Sequence, residues 1–293
     1  EHLLFEGTEN IGRGEWFEIV SSNGGSNNAN TSLDRTYYYE VFPSNNLELG
    51  LWMESERMLH PVIDTVGVNT QNEVVKEEKR LRYDNSPYGQ LLFAVSENLF
   101  DKHPYKNKNI GEMEDLDAST LDEFQDYFKN WYGPNNAVLV VTGDIDYGKT
   151  EDMVKKYFKD IPKGKVPSRN FPKEDPITET IEATYYDPNI QIPAIVAAYR
   201  TPGWTDRDSY VLNMVSTYLS DGKSSKLYKK LVDEQKMALQ TAAINLGKRD
   251  YGIYALFGIP LGETELETLL AEMDEEIMKM QNRHPALKNS FDP

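Results

Sequence analysis

The feature that most constrains this sequence is the pair Glu1-His2, taken together with a glutamate-rich run at residues 71–78. Three apolar residues follow the pair, and Gly7 comes soon after them, as a glycine often does where a helix ends. Glu-His is also the second half of the inverted zinc signature His-x-x-Glu-His. We therefore expect the first histidine of that signature three positions before Glu1, outside this sequence.

The signature can bind zinc because two histidines four residues apart project from one face of a helix, beside the intervening glutamate. A catalytic zinc site takes a third protein ligand from elsewhere and leaves a position open for water. Glu78, on a strongly helical stretch, is a candidate for this ligand, and Glu73 and Glu77 are rivals. A glutamate cluster on a helix is usually a solvated face, so the residues alone leave the choice open.

Composition excludes several classes of protein. The 293-residue chain is long enough for two domains, and its 39% of hydrophobic residues excludes a disordered acidic polymer. The net charge of −17 argues against nucleic-acid binding, because no basic patch stands out to neutralise phosphates. The sequence has no cysteine, which excludes disulfides and thiol catalysis, and no apolar run of the roughly 20 residues that cross a bilayer.

Hydrophobic spacing and turn residues predict alternating groups of helices and strands. The predicted helices cover 13–22, 47–59, 70–83, 91–100, 119–131, 153–158, 206–219, 224–234 and 263–281. The predicted strands cover 27–32, 36–42, 137–142, 177–186, 192–199, 238–246 and 251–259. The lysines, prolines and glycine of residues 162–176 are typical of a linker. We therefore predict one domain over residues 1–165 and a second over residues 166–293.

The two predicted domains resemble each other, which indicates an internal repeat. One displacement aligns three pairs of segments: Leu4 to Gly7 with Leu219 to Gly222, 36–42 with 251–257, and Glu1-His2 with Ser216-Thr217. We therefore expect the second domain to keep the scaffold but to have no metal site. We also expect it to break off before the helix that would match residues 70–83.

Short motifs of one protein family occur in order along nearly the whole chain. Residues 1–8 fit the latter part of the family pattern His-x-x-Glu-His-Leu-x-Phe-x-Gly-Thr. Further matches lie at 28–32, 74–80, 87–89, 103–105, 132–137, 141–144, 199–203 and 224–228, whereas 282–293 departs from the pattern. The chain resembles the pitrilysin/insulinase-like zinc peptidases, the M16 family, which includes the mitochondrial processing peptidases.

This resemblance implies a Zn²⁺ site and assigns roles to its residues. It implies that His2 and Glu78 bind zinc together with the upstream histidine, since the position and sequence frame of Glu78 match the family. It implies that Glu1 takes a proton from a metal-activated water, which attacks a peptide carbonyl. Many relatives carry a further glutamate where this chain has Gln71, which implies a hydrogen-bonding role for Gln71 beside the ligands.

The resemblance also implies a fold, a mode of substrate binding and a partner. The expected fold is α/β (α+β), with two related domains that are each a mostly antiparallel sheet covered by helices. The segment Asn28, Ala29, Asn30 and Thr31 resembles the family's edge strand, on which an extended peptide or unfolded polypeptide pairs. A second M16-type half or subunit would complete the enzyme.

Other interpretations of the same residues stay open. The chain could be an inactive family member that acts as a scaffold or as the partner subunit of a peptidase complex. The residue three positions before Glu1 separates these hypotheses, because a histidine there supports the enzyme. His60 and His103 have no partner at ligand spacing and are expected to be structural or exposed.

Overall fold

A computed structural model describes residues 1–283 of the chain. The α-helices are α1 Glu15–Ser22, α2 Leu47–Leu59, α3 Thr65–Lys79, α4 Leu91–Leu99, α5 Met113–Ala118, α6 Leu121–Trp131, α7 Tyr147–Phe158, α8 Arg207–Ser220 and α9 Leu266–Arg283. The strands are β1 Ser26–Thr31, β2 Thr36–Val41, β3 Ile195–Pro202, β4 Ala238–Gly247 and β5 Tyr251–Pro260. A 3₁₀ turn covers His2–Phe5, and π-helical turns cover Arg80–Asp84 and Tyr228–Glu234.

The chain folds into two compact units. Unit 1 comprises residues 1–82 and 108–171, and unit 2 comprises residues 83–107 and the chain from Pro172 onward. The boundary predicted between residues 165 and 166 stays a prediction. Residues 284–293, which make up most of the divergent segment 282–293, lie outside the described part of the chain.

Unit 1 contains the turn that carries His2 and the helix that carries Glu78. Its hairpin pairs β1 with β2 in antiparallel register, from Ser26 opposite Val41 to Thr31 opposite Thr36. Beside this hairpin, a core of buried apolar side chains fixes helices α1 and α2. The core residues are Ile11, Trp16, Val20 and Met53.

Unit 2 is built on an antiparallel sheet with the strand order β3-β5-β4. Its core lies between this sheet and two helices, since Leu219 of α8, Leu256 of β5 and Leu269 of α9 are each fully buried. The sheet and the helices bury their apolar sides against each other, which is the elementary layered arrangement of a domain. The predicted fold class, helices with antiparallel sheets, is confirmed in both units.

Two predicted strands were wrong. Within the described residues, 137–142 and 177–186 adopt no strand conformation. Val138 and Val140 are 89% and 75% exposed, and Tyr186 is 86% exposed. An apolar or β-branched run becomes a strand only where another strand pairs with its backbone, because β-propensity expresses packing against neighbours. The sequence pattern contains no information about whether that partner is in place.

None of the helices within residues 1–283 is long and apolar enough to cross a membrane.

Gly7 ends the turn that carries His2, and its backbone geometry requires glycine. Its φ is +130°, and a Cβ at this position would lie 2.7 Å from the carbonyl oxygen of Ile11. We expect Gly7→Ala to lower the free energy of unfolding by about 2–4 kcal/mol, from backbone strain and the clash together. Urea denaturation measures this loss.

Gly14 provides the matched control for that prediction. Its φ of +84° is also in the left-handed region, but a Cβ there would meet no atom within 4 Å. Gly14→Ala should therefore cost only the strain, about 1–2 kcal/mol. Equal losses in the two variants would contradict the clash at Gly7.

Candidate metal site

His2 and Glu78 come from different elements and face each other. The His2 ring projects from the turn His2–Phe5, and Glu78 lies in the last turn of α3. His2 Nε2 lies 3.2 Å from Glu78 Oε2, and the two side chains are 31% and 23% exposed. The structure therefore brings together an imidazole nitrogen and a carboxylate oxygen at a position that solvent can reach.

The rival glutamates of α3 have other partners. Glu73 Oε1 lies 2.7 Å from Lys76 Nζ, and Glu77 Oε2 lies 3.1 Å from Arg80 Nη1. Each of these pairs joins residues three apart on the helix surface, the usual arrangement of a solvated face. Glu78 alone of the three approaches His2, because it lies on the side of α3 that faces the turn.

Glu1 lies next to the end of strand β1. Thr31 donates a short hydrogen bond from Oγ1 to the Glu1 carboxylate, and the Tyr38 hydroxyl donates to the Glu1 carbonyl over 3.1 Å. Asn109 donates to the Thr31 carbonyl over 3.1 Å, which fixes the strand end from the other side. The Glu1 carboxylate, which is predicted to act as a base, is therefore hydrogen-bonded to the end of β1, the strand predicted to bind substrate.

Strand β1 has the predicted position of an edge strand. In the described residues its sheet contains β1 and β2 alone, so the far side of Asn28, Ala29 and Asn30 has no strand beside it. The Ala29 N–H donates to Asn28 Oδ1 over 2.9 Å. A peptide that pairs with this edge would have to displace that side chain from the amide.

Gln71 contacts His2 from the side opposite Glu78. Its Oε1 lies 3.2 Å from His2 Nδ1. Gln71 precedes Glu78 by two turns of α3, so both side chains project toward the turn. The hydrogen bond predicted for Gln71 is therefore made to the ring of His2.

The geometry of His2 and Glu78 fits two ligands of a zinc ion. Two atoms bound about 2.0–2.2 Å from a tetrahedral zinc lie about 3.3–3.5 Å apart, close to the 3.2 Å observed. Residues 1–283 contain no group of three or more His, Cys, Asp or Glu side chains that could hold a metal. The two donors have the right chemistry and spacing for zinc, and a catalytic zinc site would require a third ligand in addition to them.

The other histidines of the described chain have structural partners. His60 Nδ1 lies 3.7 Å from Glu9 Oε2. His103 is 2% exposed, its Nε2 lies 3.2 Å from Asp250 Oδ2, and its Nδ1 accepts from the Tyr105 N–H. His103 therefore belongs to the packing of unit 2.

Two family models match consecutive parts of the chain. The model described as Insulinase (Peptidase family M16) matches residues 1–112, and the model described as Peptidase M16 inactive domain matches residues 118–287. The chain belongs to the M16 peptidase family.

Curated M16 relatives are named as zinc proteases. The zinc protease PqqE of Helicobacter pylori is 30% identical over 96% of this chain and 64% of its own length. An uncharacterized zinc protease of Mycobacterium leprae is 25% identical over 81% of this chain and 54% of its own length. The chain thus spans between half and two thirds of the length of these relatives.

A solved protease structure shares the fold of this chain. The crystal structure of a protease from Helicobacter pylori superposes with a TM-score of 0.88 and is 28% identical, over 97% of this chain and 69% of that one.

The turn His2–Phe5 is held by a buried arginine that the sequence analysis did not predict. Arg57 is 2% exposed and donates from Nη1 to the Leu4 carbonyl over 2.7 Å. Its Nε and Nη2 each lie 3.1 Å from a carboxylate oxygen of Glu54. Its guanidinium carbon lies 4.1–4.6 Å from the centroids of three rings. These rings belong to Phe5, Trp16 and Tyr38.

Glu40 completes the surroundings of Arg57. Its Oε1 accepts from the Trp16 indole over 3.0 Å and lies 3.8 Å from Arg57 Nη2. Burial, with the neighbouring charge of Glu54, raises the pKa of Glu40 well above its usual range, although Arg57 opposes the shift. An arginine three residues after a glutamate on an otherwise apolar helix face was the sequence signal for this cluster, since a buried charge needs a partner.

Proposed function

We propose that the chain is the zinc-binding part of an M16 endopeptidase that hydrolyses peptides or unfolded polypeptides. The observation that carries this proposal is the 3.2 Å approach of His2 Nε2 to Glu78 Oε2. The names of the relatives, zinc proteases, support the same metal and the same reaction.

In this proposal His2 and Glu78 hold zinc together with a ligand from upstream. Zinc, when bound, supplies the Lewis acidity that polarises a peptide carbonyl and makes water acidic. The Glu1 carboxylate accepts a proton from the water while the oxygen of the water bonds to the carbonyl carbon of the peptide. Glu1 then returns this proton to the amide nitrogen as the C–N bond breaks, so that the carboxylate is regenerated.

Substrate would bind along strand β1. An extended peptide would pair with the free edge of Asn28, Ala29 and Asn30 through main-chain hydrogen bonds, which do not depend on the side chains of the peptide. The hydrogen bond from Thr31 to Glu1 supports this arrangement, because it joins the end of that edge to the proposed base. A second M16-type half or subunit would enclose the substrate, in keeping with the greater length of the relatives.

A zinc titration of Glu78→Gln and Glu77→Gln tests the ligand assignment. The protein is prepared with its native upstream residues, and zinc affinity is measured by competition with a chelator. We expect Glu78→Gln to weaken zinc binding about 100-fold or more, because removing a ligand should exceed the 10–100-fold cost of removing a group that only supports one. Glu77→Gln should leave it unchanged, because Glu77 pairs with Arg80 on the solvated face.

The same titration distinguishes the enzyme from the scaffold. If the unsubstituted protein binds no zinc and cleaves no unstructured peptide, the chain is an inactive family member. The description of the family model that matches residues 118–287, an M16 inactive domain, is consistent with that outcome. If Glu77→Gln abolishes binding and Glu78→Gln does not, the ligand assignment is wrong.

A further inference from the structure

The hydrogen bonding of the β1–β2 hairpin determines which backbone groups of β1 face its free edge. In an antiparallel pair, every second residue exchanges both backbone bonds with its partner, and the residues between them direct their N–H and C=O groups outward. The Ser32 N–H donates to the Arg35 carbonyl over 2.8 Å, so the pair at the turn is a bonded one. Along the register from this pair, Thr31, Ala29 and Asn27 direct their backbone groups to the free edge.

Two of these outward groups already bind side-chain amides. The Ala29 N–H donates to Asn28 Oδ1 over 2.9 Å, and the Thr31 carbonyl accepts from Asn109 Nδ2 over 3.1 Å. Thr31 Oγ1 also lies 3.2 Å from Thr36 Oγ1, as expected for the closer, non-bonded type of pair. The side-chain contacts therefore agree with the alternation along β1.

The segment that carries Asn109 is attached to helix α3. Asn72 of α3 donates from Nδ2 to the Leu116 carbonyl over 3.0 Å. Lys79, in the last turn of α3, has a side chain that is 7% exposed, and its Nζ lies 3.9 Å from Glu112 Oε2. Asn109 therefore connects the end of β1 to a segment that packs on the helix of the proposed glutamate ligand.

The Asn109 amide lies where a strand added to β1 would pass Thr31. Paired strands lie about 4.7–4.9 Å apart, and Asn109 Nδ2 is 3.1 Å from the outward Thr31 carbonyl oxygen. A peptide can bond to the Ala29 groups once the neighbouring Asn28 side chain rotates away. It cannot continue beside Thr31 unless Asn109 is displaced, and Thr31 is the residue that donates to the Glu1 carboxylate.

We propose that Asn109 is a positioning residue: it ends the pairing of an extended peptide with β1 at Ala29, and so selects the peptide bond that lies at the Glu1 carboxylate. The inference rests on the proposed function, because it takes the occupant of the edge to be a peptide substrate. A peptide group bonded within a ladder is held in the plane of the sheet. The first peptide group beyond the ladder is free to turn toward the reacting groups.

Amide hydrogen exchange followed by NMR measures where the pairing ends. The protein is prepared with its native upstream residues and Glu1→Gln, so that an added unstructured peptide stays intact. We expect the peptide to slow exchange of the Ala29 amide by about 10-fold or more and to leave the Thr31 amide unchanged. With Asn109→Ala added, the peptide should slow exchange at Thr31 as well.

The cleavage products of the protein with Glu1 intact provide a second measurement, by mass spectrometry. Because outward groups recur every second residue, Asn109→Ala should move part of the cleavage by two residues along the same peptide. Asn136→Ala is the matched control, since Asn136 is also exposed and also donates to a backbone carbonyl, that of Trp131, over 3.0 Å. The control should give the products of the unsubstituted protein.

The outcomes separate this proposal from the proposed function. Slowed exchange at Thr31 with Asn109 present, or unchanged products from Asn109→Ala, would overturn the role of Asn109 and leave the peptidase proposal standing. Cleavage without slowed exchange at Ala29 would also overturn it. Pairing that ends at Ala29 without any hydrolysis by the Glu1 protein would support Asn109 and contradict the peptidase proposal. A peptide that neither slows exchange in β1 nor is cleaved would contradict both.

Discussion

Glu1→Gln is expected to lower kcat for peptide hydrolysis by about 10²–10⁴-fold and to leave zinc binding nearly unchanged. The amide cannot accept the proton that the proposed reaction removes from water, and general-base catalysis accounts for a factor of this size. The glutamine oxygen can still accept the Thr31 hydrogen bond, so the turn should keep its position. The loss should therefore be in the chemical step rather than in folding or metal affinity.

The measurement is steady-state cleavage of an unstructured fluorogenic peptide by the zinc-loaded protein with its native upstream residues. Glu9→Gln is the matched control, because Glu9 lies in the same region, is 74% exposed and contacts only His60 among the ion pairs of the described chain. Glu9→Gln should retain full activity. Full activity of Glu1→Gln would exclude Glu1 as the base, whatever the metal content.

Arg57→Ala is expected to lower the free energy of unfolding by about 3–5 kcal/mol, the usual cost of removing one partner of a buried ion pair. The Glu40 and Glu54 side chains, 4% and 23% exposed, would lose the guanidinium between them. The Leu4 carbonyl would lose its donor at the same time. The His2 turn should therefore loosen along with the core of unit 1.

Urea denaturation followed by circular dichroism measures this loss, with Arg80→Ala as the control. Arg80 and Glu77 are 46% and 57% exposed, and a pair of this kind contributes at most about 1 kcal/mol. Arg57→Lys keeps the charge but cannot make both bonds to Glu54 or stack on the rings, and it should fall between the two. A loss for Arg57→Ala as small as that for Arg80→Ala would contradict the stabilising role of the buried Arg57 cluster.

The residues of the candidate site could be predicted from the sequence only because the chain contains the motifs of the M16 family. The ordered series of motifs selected His2 and Glu78, and these two side chains do lie 3.2 Å apart. The choice of Glu78 over Glu73 and Glu77 depended on the sequence pattern of the family, because all three glutamates lie on one helix and have the same chemistry. All three also pair with a cation on or just after the helix, Glu78 with Arg82, but Glu78 alone reaches His2, because of the side of α3 that faces the turn.

Glu6 and Arg57 were absent from the sequence interpretation for a related reason. A charged residue beside an apolar run is usually exposed, and the spacing of Glu54 and Arg57 was the local signal of burial that the sequence interpretation left unused. Glu6 is buried because Arg13 and Gln71 reach it from two other elements, and Arg57 because three rings and Glu54 surround it. Apart from Glu54, three residues before Arg57, these partners come from other parts of the chain, and the local pattern alone did not indicate them.

Periodicity and turn chemistry, which act over a few residues, predicted most of the helices and the paired strands, and motifs that persist in order indicated the M16 family, whereas helix α5, Met113–Ala118, was not predicted. Tertiary structure alone decided that the apolar run 137–142 is not a strand in the described chain. It also decided which glutamate meets His2 and which side chain caps the end of β1. Strand pairing, burial of charge and the capping of a strand edge all depend on groups that come together only when the chain folds.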